Sequence, residues 1–270
     1  MNKVRLVAVL LVCDGVVVQT RKFKRTNMVG NAFTAVDFFN SWSVDEICIL
    51  DISDDTEQTD EFVSIVRELS KRCFVPLMVG GKISEPQLGH EYIKAGADRL
   101  VLNSAIIENP KTIFELSDAY GKQCIVLSID GLANSKTKSG YEAVINNGNK
   151  PTGVDIIEIA QKGVKLGASE LMVNSIANDG DKRGYDLDLI SKVSSSVNVP
   201  VIAMGGVSEW AHLVDGIQFG GASAVAAGNI FHYVEHSTKK AKEYMIAKGI
   251  NCRRSEFYSL STRRNIQYKI

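Results

Sequence analysis

Residues 75–85 read VPLMVGGKISE and residues 199–209 read VPVIAMGGVSE, so a strand-like segment followed by two glycines occurs twice in this chain. The offset between the copies is 124 residues (199 − 75), and the same offset carries Glu46 onto Glu170. The two glycine pairs agree within one residue of that register. A period of nearly half the chain length indicates a duplicated structural unit. We therefore expect two half-barrels that close into one barrel of parallel strands.

Short apolar segments alternate with amphipathic segments between residues 1 and 250. Nearly continuous runs of Val, Ile and Leu are typical of strands buried on both faces. They predict eight strands, at Val4–Val12, Ile47–Asp51, Val75–Val79, Arg99–Asn103, Cys124–Asp130, Leu171–Ser175, Val199–Ala203 and Ala222–Ala227. Helical periodicity predicts helices between them, at Thr59–Arg72, Pro86–Ala95, Pro110–Tyr120, Val154–Leu166, Leu187–Ser195 and Trp210–Phe219.

This alternation predicts an α/β fold, a single (β/α)8 TIM barrel, with a doubly wound open sheet as the alternative. The internal duplication favours the closed barrel, with halves at about residues 1–120 and 121–250. Residues 251–270 follow the predicted barrel and form a basic C-terminal extension with interspersed aromatic residues. Three roles are open for this extension: docking on its own barrel, contact with a partner, or a partly ordered terminus.

The composition excludes several classes of function. The 31 basic and 31 acidic side chains balance to a net charge of +0, which argues against a nucleic-acid partner. No apolar run reaches 18 residues, so no membrane span is predicted. The apolar stretch Val7–Val18 is interrupted by Cys13–Gly15 and lacks the cleavage site of a signal peptide. The five cysteines are scattered without CxxC spacing, which predicts reduced thiols and a cytoplasmic location.

Two long segments follow the predicted first and fifth strands, in equivalent places of the two halves. Arg21–Ala32 is a basic loop that contains glycine, and Gly131–Thr152 contains a hairpin signal at Asn146–Gly148. Loops at the C-terminal face of a barrel are commonly lids or ligand contacts. The alternative is a pair of surface insertions without a functional role.

Glycines and small polar residues end the predicted strands on both sides of the barrel mouth. Backbone N–H groups at such glycines approach an anion closely, and the N-terminus of the next helix favours negative charge. The pattern predicts two phosphate sites, and tight strand-to-helix turns are the alternative explanation. The residues are Gly80, Gly81, Asn103 and Ser104 in the first half and Gly205, Gly206, Gly228 and Asn229 in the second.

Three aspartates follow predicted strands at the same mouth. Asp130 ends the fifth strand, where partial burial would tune a carboxylate for general acid or base catalysis. Asp51 and Asp179 are candidates for the same site, with capping of a turn or helix as the alternative. The counterpart of Asp130 in the first half is Leu11, which transfers no proton.

A charged set begins four of the predicted strands, at the opposite end of the barrel. Arg5, Glu46, Arg99 and Glu170 are expected to face one another around the N-terminal opening. Two arginines and two glutamates form a neutral ring there. This ring is either a structural plug or a gate.

The histidines give no support for a metal site. Of His90, His212, His232 and His236, only the last two have i, i+4 spacing, and we expect that pair on a helix outside the barrel mouth. No metal and no other cofactor is expected.

These segments together resemble the cyclase subunit of imidazole glycerol phosphate synthase, the HisF-type barrel of histidine biosynthesis, over about residues 1–250. The matching motifs are LDI at 50–52, VGG at 79–81, AGAD at 95–98, NSA at 103–105, ENP at 108–110, Asp130, KPTG at 150–153, DG at 179–180, GYDL at 184–187, GG at 205–206 and IFH at 230–232.

The resemblance implies the synthase component of a two-subunit glutamine amidotransferase. A separate glutaminase subunit (HisH-type) docks on the N-terminal face, and its ammonia passes the charged ring and the barrel. At the C-terminal mouth the ammonia attacks a phosphoribulosyl-formimino carboxamide nucleotide, giving imidazole glycerol phosphate and an aminoimidazole carboxamide ribotide. The resemblance also implies substrate-binding roles for Asn174, Asp179 and Gly180.

The sequence departs from the family pattern at the mouth. The first of the family's two catalytic aspartates falls at Leu11, and the lysine on the following loop falls at Gln19. Where the family has a third glycine after strand 3, this chain has Lys82. The family's serine before the strand 7 glycines falls at Met204, and its threonine at the end of strand 6 falls at Asn174. Losing one of two proton-transfer groups typically lowers the rate by roughly 10²–10⁴.

Three hypotheses therefore stand, and whether the chain is itself an enzyme is open among them. The first is a HisF-type cyclase of histidine biosynthesis that acts on a phosphorylated, nucleotide-like substrate. The second is a paralogue that delivers ammonia for sugar amidation in surface-polysaccharide (O-antigen) biosynthesis. The third is a non-catalytic activator or scaffold of the glutaminase.

Overall fold

Twelve strands form in the part of the chain that the computed structural model describes, which is residues 3–54, 59–232 and 235–254. The strands are β1 (Arg5–Cys13), β2 (Val16–Arg21), β3 (Lys24–Gly30), β4 (Glu46–Asp51), β5 (Leu77–Gly80), β6 (Arg99–Leu102), β7 (Ile125–Ala133), β8 (Tyr141–Ile145), β9 (Lys150–Asp155), β10 (Glu170–Ser175), β11 (Val201–Met204) and β12 (Ala224–Ala227). The helices are α1 (Ala32–Ser41), α2 (Thr59–Ser70), α3 (Pro86–Lys94), α4 (Ala105–Glu108), α5 (Lys111–Tyr120), α6 (Ile156–Leu166), α7 (Leu187–Ser196), α8 (Trp210–Gln218) and α9 (Ser237–Ala247).

Eight of the strands pair in parallel and close into a ring. Their order is β1, β4, β5, β6, β7, β10, β11 and β12, and β12 pairs with β1 to complete the circle. The prediction of a (β/α)8 barrel is confirmed, and the open doubly wound sheet is excluded. Because all eight strands run the same way, their C-terminal ends meet at one mouth and their N-terminal ends at the other.

Alternate side chains of the ring point into the barrel and out toward the helices. The outward-facing residues form the large core between sheet and helices, with Leu6, Ile47 and Leu127 at most 1% exposed. The inward-facing residues form a second apolar cluster: Val7, Val9, Cys48, Met78, Val101, Val126, Met172, Ile202, Met204, Ala224 and Ala226. Two apolar faces explain why the strand sequences lack a polar alternation.

The strand register shows how the two halves correspond. Leu11 on β1 pairs with Leu50 on β4, and Asp130 on β7 pairs with Asn174 on β10. Leu50 and Asn174 differ by the repeat offset of 124 residues (174 − 50). Leu11 and Asp130 therefore occupy equivalent places at the mouth, as the sequence predicts.

The two long segments are β-hairpins. The prediction of a loop over residues 21–32 is wrong. Strand β2 pairs antiparallel with β1, and β3, which occupies most of this segment, pairs antiparallel with β2. The hairpin signal at residues 146–148 is confirmed, because it forms the turn between β8 and β9. Asn146 and Asn147 adopt left-handed φ values of 55° and 52° there, which Asn tolerates better than most residues.

Several element boundaries differ from the predicted ones. Strands β5 and β11 begin two residues later than predicted, after Pro76 and Pro200, which have no N–H for the strand ladder. Helices α1, α4 and α9 have no counterpart among the predicted helices. No helix within the described residues is long and apolar enough to cross a bilayer.

The start of the C-terminal extension lies against the N-terminal end of β1. Val4 pairs with Cys252 in an isolated parallel bridge, and Val4 N donates to Asn251 O at 2.8 Å. Arg253 Nε lies 2.8 Å from Asp45 Oδ1. Residues 255–270, which carry most of the predicted basic extension, lie outside the described residues.

Gly80 lies where two neighbouring strands of the ring approach closely. A Cβ built at Gly80 would collide with the Val101 carbonyl oxygen and lie 2.8 Å from Val101 Cβ. We expect Gly80→Ala to lower the free energy of unfolding by about 1–3 kcal/mol, because the barrel wall has no room for the methyl group. Urea denaturation measures this change. In the control Gly228→Ala, the nearest atom is Val9 O at 3.1 Å, and a smaller loss is expected. Equal losses would contradict the packing argument.

Candidate active site at the C-terminal mouth of the barrel

Two cavities open at the C-terminal mouth. The first-half cavity, about 700 Å³, is lined mainly by residues at and after the ends of β4, β5, β6 and β7. The second-half cavity, about 530 Å³, is lined mainly by residues after β10, β11 and β12. They meet at four shared residues, which are Leu11, Thr20, Asp179 and Met204. The mouth is therefore one elongated site with two ends.

Asp130 is one of the buried carboxyl groups of the first-half cavity, at 7% exposure. Burial, reinforced by the negative charge of Asp179, raises its pKa to about 7. Asn103 Nδ2 donates to Asp130 Oδ2 at 3.0 Å, which opposes that shift and orients the carboxyl group. A carboxyl group that titrates near neutral pH is suited to proton transfer in either direction.

Leu11 lies at the equivalent place in the first half and lines both cavities. Its isobutyl side chain is apolar, so the mouth has an ionisable side chain at this level on β7 and none on β1. The asymmetry that the sequence predicts is thus present in the cavity wall itself.

Asp51 combines the two roles that the sequence left open. Its Oδ1 accepts hydrogen bonds from Ser53 N at 2.9 Å and from Ser53 Oγ at 2.6 Å, so it does cap the turn after β4. It also lines the first-half cavity, where Lys82 Nζ lies 3.4 Å from its Oδ2. Gly81 stands beside it with φ +105°, and a Cβ at Gly81 would collide with the Asp51 backbone.

Asp179 anchors the β2–β3 hairpin over the mouth. Its Oδ2 accepts from Phe23 N at 3.0 Å, and its carbonyl oxygen accepts from Lys22 N at 2.8 Å. Burial raises the pKa of Asp179. Arg21 on the hairpin lies 2.8 Å from Asp181 Oδ1. Sequence reasoning missed this docking, because it joins segments about 160 residues apart and leaves no local signal.

The predicted phosphate residues divide between the cavities. Gly81, Asn103, Ser104 and Asn174 line the first-half cavity. Gly180, Gly205, Gly206, Gly228 and Asn229 line the second-half cavity. Gly80 lines neither cavity, because β5 continues through it into the barrel wall.

The charged ring lies at the opposite end of the barrel, where its four side chains contact one another. Arg5 Nη1 donates to Glu46 Oε1 at 2.6 Å, and Arg5 Nη2 pairs with Glu170 Oε1. Arg99 Nη1 donates to Glu170 Oε2 at 2.5 Å and lies 3.9 Å from Glu46 Oε2. The Glu46 and Glu170 side chains are 8% and 3% exposed, so both carboxylates are buried at the N-terminal end of the barrel.

The expected helical location of the histidine pair is wrong. His232 ends a short 3-10 turn and lines the second-half cavity, whereas His236 precedes α9. Burial lowers the pKa of His232 to about 4, so its imidazole is neutral at physiological pH. Across the described residues, no three His, Cys, Asp or Glu side chains converge as ligands for a metal ion.

Comparisons with known proteins agree over nearly the whole chain. Residues 5–237 match the family described as histidine biosynthesis protein. The chain is 39% identical over 249 residues to imidazole glycerol phosphate synthase subunit HisF of Clostridium botulinum (strain Okra / Type B1), covering 92% of this chain and 98% of that relative. It is 37% identical over 255 residues to the putative imidazole glycerol phosphate synthase subunit hisF2 of Vibrio vulnificus (strain YJ016), covering 94% of this chain and 93% of that relative.

The raised pKa of Asp130 predicts a pH-dependent stability. The folded state holds a proton on Asp130 up to about pH 7, whereas the unfolded chain releases it near pH 3.8. Asp130 therefore makes stability fall as the pH rises through that window, by roughly 1.4 kcal/mol per pH unit. We expect Asp130→Asn to raise the free energy of unfolding at about pH 8, with the difference vanishing toward about pH 4. Urea denaturation across this range measures it.

Asp188 supplies the control for this measurement. It lies exposed on α7, and its pKa is lowered by a hydrogen bond from Lys192. Asp188→Asn should change stability little and in the opposite direction. A pH-independent effect of Asp130→Asn would show that the carboxyl group is not protonated in the folded state.

Proposed function

Because this chain belongs to the histidine biosynthesis protein family, we propose that it is a HisF-type synthase subunit that adds ammonia to a phosphorylated substrate at the barrel mouth. The ammonia comes from a separate glutaminase subunit (HisH-type). The observation that carries the proposal is the arrangement along one barrel. An elongated two-ended cavity that includes Asp130 lies at one end, and the ion-paired ring of Arg5, Glu46, Arg99 and Glu170 lies at the other.

The two ends of the mouth fit a substrate with a phosphate at each end. In the first-half cavity, Gly81 and Ser104 line the wall just after the ends of β5 and β6, where an anion would approach the backbone. In the second-half cavity, Gly205 and Gly206 have φ values of +97° and +90°, which favour glycine, and both residues form part of the cavity wall. The joined cavities then position the reacting carbon near the shared residues.

Asp130 is the acid or base of the proposed reaction. Ammonia addition to an electrophilic carbon requires one proton to leave the nitrogen and one to reach the displaced oxygen. With a pKa of about 7, Asp130 exists in both protonation states near neutral pH. Asn103 keeps its carboxyl group oriented throughout.

Ammonium-driven turnover tests the proposal without any partner. The purified chain is given the phosphoribulosyl-formimino carboxamide nucleotide and excess ammonium salt at alkaline pH. We expect imidazole glycerol phosphate to form, and Asp130→Asn to lower kcat by about 10²–10⁴. Asp188→Asn is the control, because its carboxylate lies outside both cavities and forms an ion pair with Lys192. No product and no nucleotide binding would contradict the histidine-pathway assignment.

Leu11 favours a second candidate, in which the same ammonia route serves another acceptor. An apolar side chain stands in the middle of the mouth, where it contacts both cavities. The paralogue function of sugar amidation in surface-polysaccharide biosynthesis requires the ring and the barrel but a different set of mouth residues. For this second function, we expect ammonia released by the glutaminase to be incorporated into another acceptor in the absence of the histidine-pathway nucleotide.

Substitution of Arg5 distinguishes a gate for ammonia from a structural plug. In complex with the glutaminase, Arg5→Ala should lower the product formed per glutamine hydrolysed, because the entrance to the barrel no longer closes around the ammonia. Turnover driven by ammonium salt should stay within about twofold of the wild type, since that ammonia reaches the mouth from solvent. Both rates are measured on one preparation.

Lys192→Ala provides the matched control, because it breaks an exposed ion pair with Asp188 on α7, away from the ring. Unchanged coupling in Arg5→Ala, with only a loss of stability, would identify the ring as a structural plug.

A further inference from the structure

Lys82 has an unusual backbone conformation for its position in the cavity wall. It lies in the turn after β5 with φ +58°, in the left-handed region, although it is not a glycine. A long side chain in that region strains the backbone, and such strain is typically kept where the side chain has a specific task. Here the side chain lines the first-half cavity, together with Asp130 and Leu11.

The ion pair with Asp51 holds the Lys82 side chain in place. The Asp51 side chain is 1% exposed and is fixed by two hydrogen bonds from Ser53. Its Oδ2 accepts no hydrogen bond from any described residue, and Lys82 Nζ lies 3.4 Å away. Because Lys82 is 15% exposed, its side chain is the accessible member of the pair. Asp51 is therefore a positioning residue, which holds the Lys82 ammonium at the cavity wall.

The charge of this pair argues against a simple phosphate anchor. Asp51 neutralises Lys82, and acidic side chains outnumber basic ones around the same cavity, with Asp51, Asp54, Glu108, Asp130 and Asp179 against Lys24, Arg25 and Lys82. A proton donor needs no net positive field, only an N–H aimed at the reacting oxygen. Lys82 supplies an ammonium group at the cavity wall, held there by a buried carboxylate.

We propose that Lys82 is the second proton-transfer group of this site and takes the role that Leu11 leaves unfilled. This inference rests on the proposed ammonia-adding function. When ammonia attacks the electrophilic carbon, the C–N bond forms and the carbonyl electron pair moves to oxygen. The oxygen takes a proton from the Lys82 ammonium, and the new nitrogen gives its excess proton to the Asp130 carboxylate. After the step, Lys82 is a neutral amine and Asp130 is protonated. Lys82 then takes a proton from solvent and Asp130 releases one, which restores the starting protonation states.

Substitutions at Lys82 test this role in the ammonium-driven assay with the nucleotide. Lys82→Met keeps the length of the side chain and removes the ammonium, so kcat should fall by about 10²–10⁴ with a smaller change in KM. Lys82→Gly should lose kcat to the same extent without lowering the melting temperature, because it also removes the left-handed strain. Lys82→Arg, which keeps the charge but is a much weaker acid, should recover only a small part of the rate.

Lys22 provides the matched control. It is also a left-handed lysine, with φ +51°, and its Nζ lies 3.9 Å from Asp181 Oδ2. Its side chain is 53% exposed at the hairpin tip and lines neither cavity. Lys22→Met should therefore retain wild-type kcat and KM.

A double variant separates catalysis from charge balance. If Lys82 only neutralises buried Asp51, adding Asp51→Asn to Lys82→Met would restore turnover, and the proposal would be overturned. If Lys82 donates the proton, the double variant stays as slow as Lys82→Met. Wild-type kcat in Lys82→Met or Lys82→Gly would overturn the role of Lys82 alone. Absence of turnover in the wild-type chain would overturn the proposed function and this role with it.

Discussion

The parallel pairing of β1 with both β4 and β12 is the constraint on which the rest of the molecule depends. Hydrogen bonds across that seam close the ring, and closure removes the sheet edges that an open arrangement would leave. It also forces all eight strand ends of one polarity to one opening. The cavity around Asp130 and the ring around Glu170 are therefore consequences of the same closure.

The duplicated halves keep their scaffold and differ at the mouth. Glu46 and Glu170 occupy equivalent places in the ring, where both take part in the same set of ion pairs. At the mouth, the repeat offset instead places Lys82 opposite Gly206, and the strand register places Leu11 opposite Asp130. A barrel tolerates this divergence because the strand ends contribute little to its core, whereas the interior residues and the two ring glutamates are buried.

Two contacts show why local sequence patterns do not predict the whole site. The β2–β3 hairpin covers the mouth because Asp179 accepts the backbone N–H of Phe23, a bond between segments that lie far apart in the chain. The Lys82–Asp51 pair likewise depends on the spacing of neighbouring strands. Periodicity describes each segment alone, so it predicts neither the partner nor the distance.

Sequence by itself determined the barrel, the strand ends that line its C-terminal mouth, and the inequality of Leu11 and Asp130. These follow from apolar periodicity and from a repeat, which are properties of the chain read in order. The tertiary structure decided that Gly80 packs in the barrel wall, that Asp51 faces Lys82, and that burial raises the pKa of Asp130 to about 7. Close approach and desolvation depend on atoms brought together from different strands, and those distances exist only once the ring has closed.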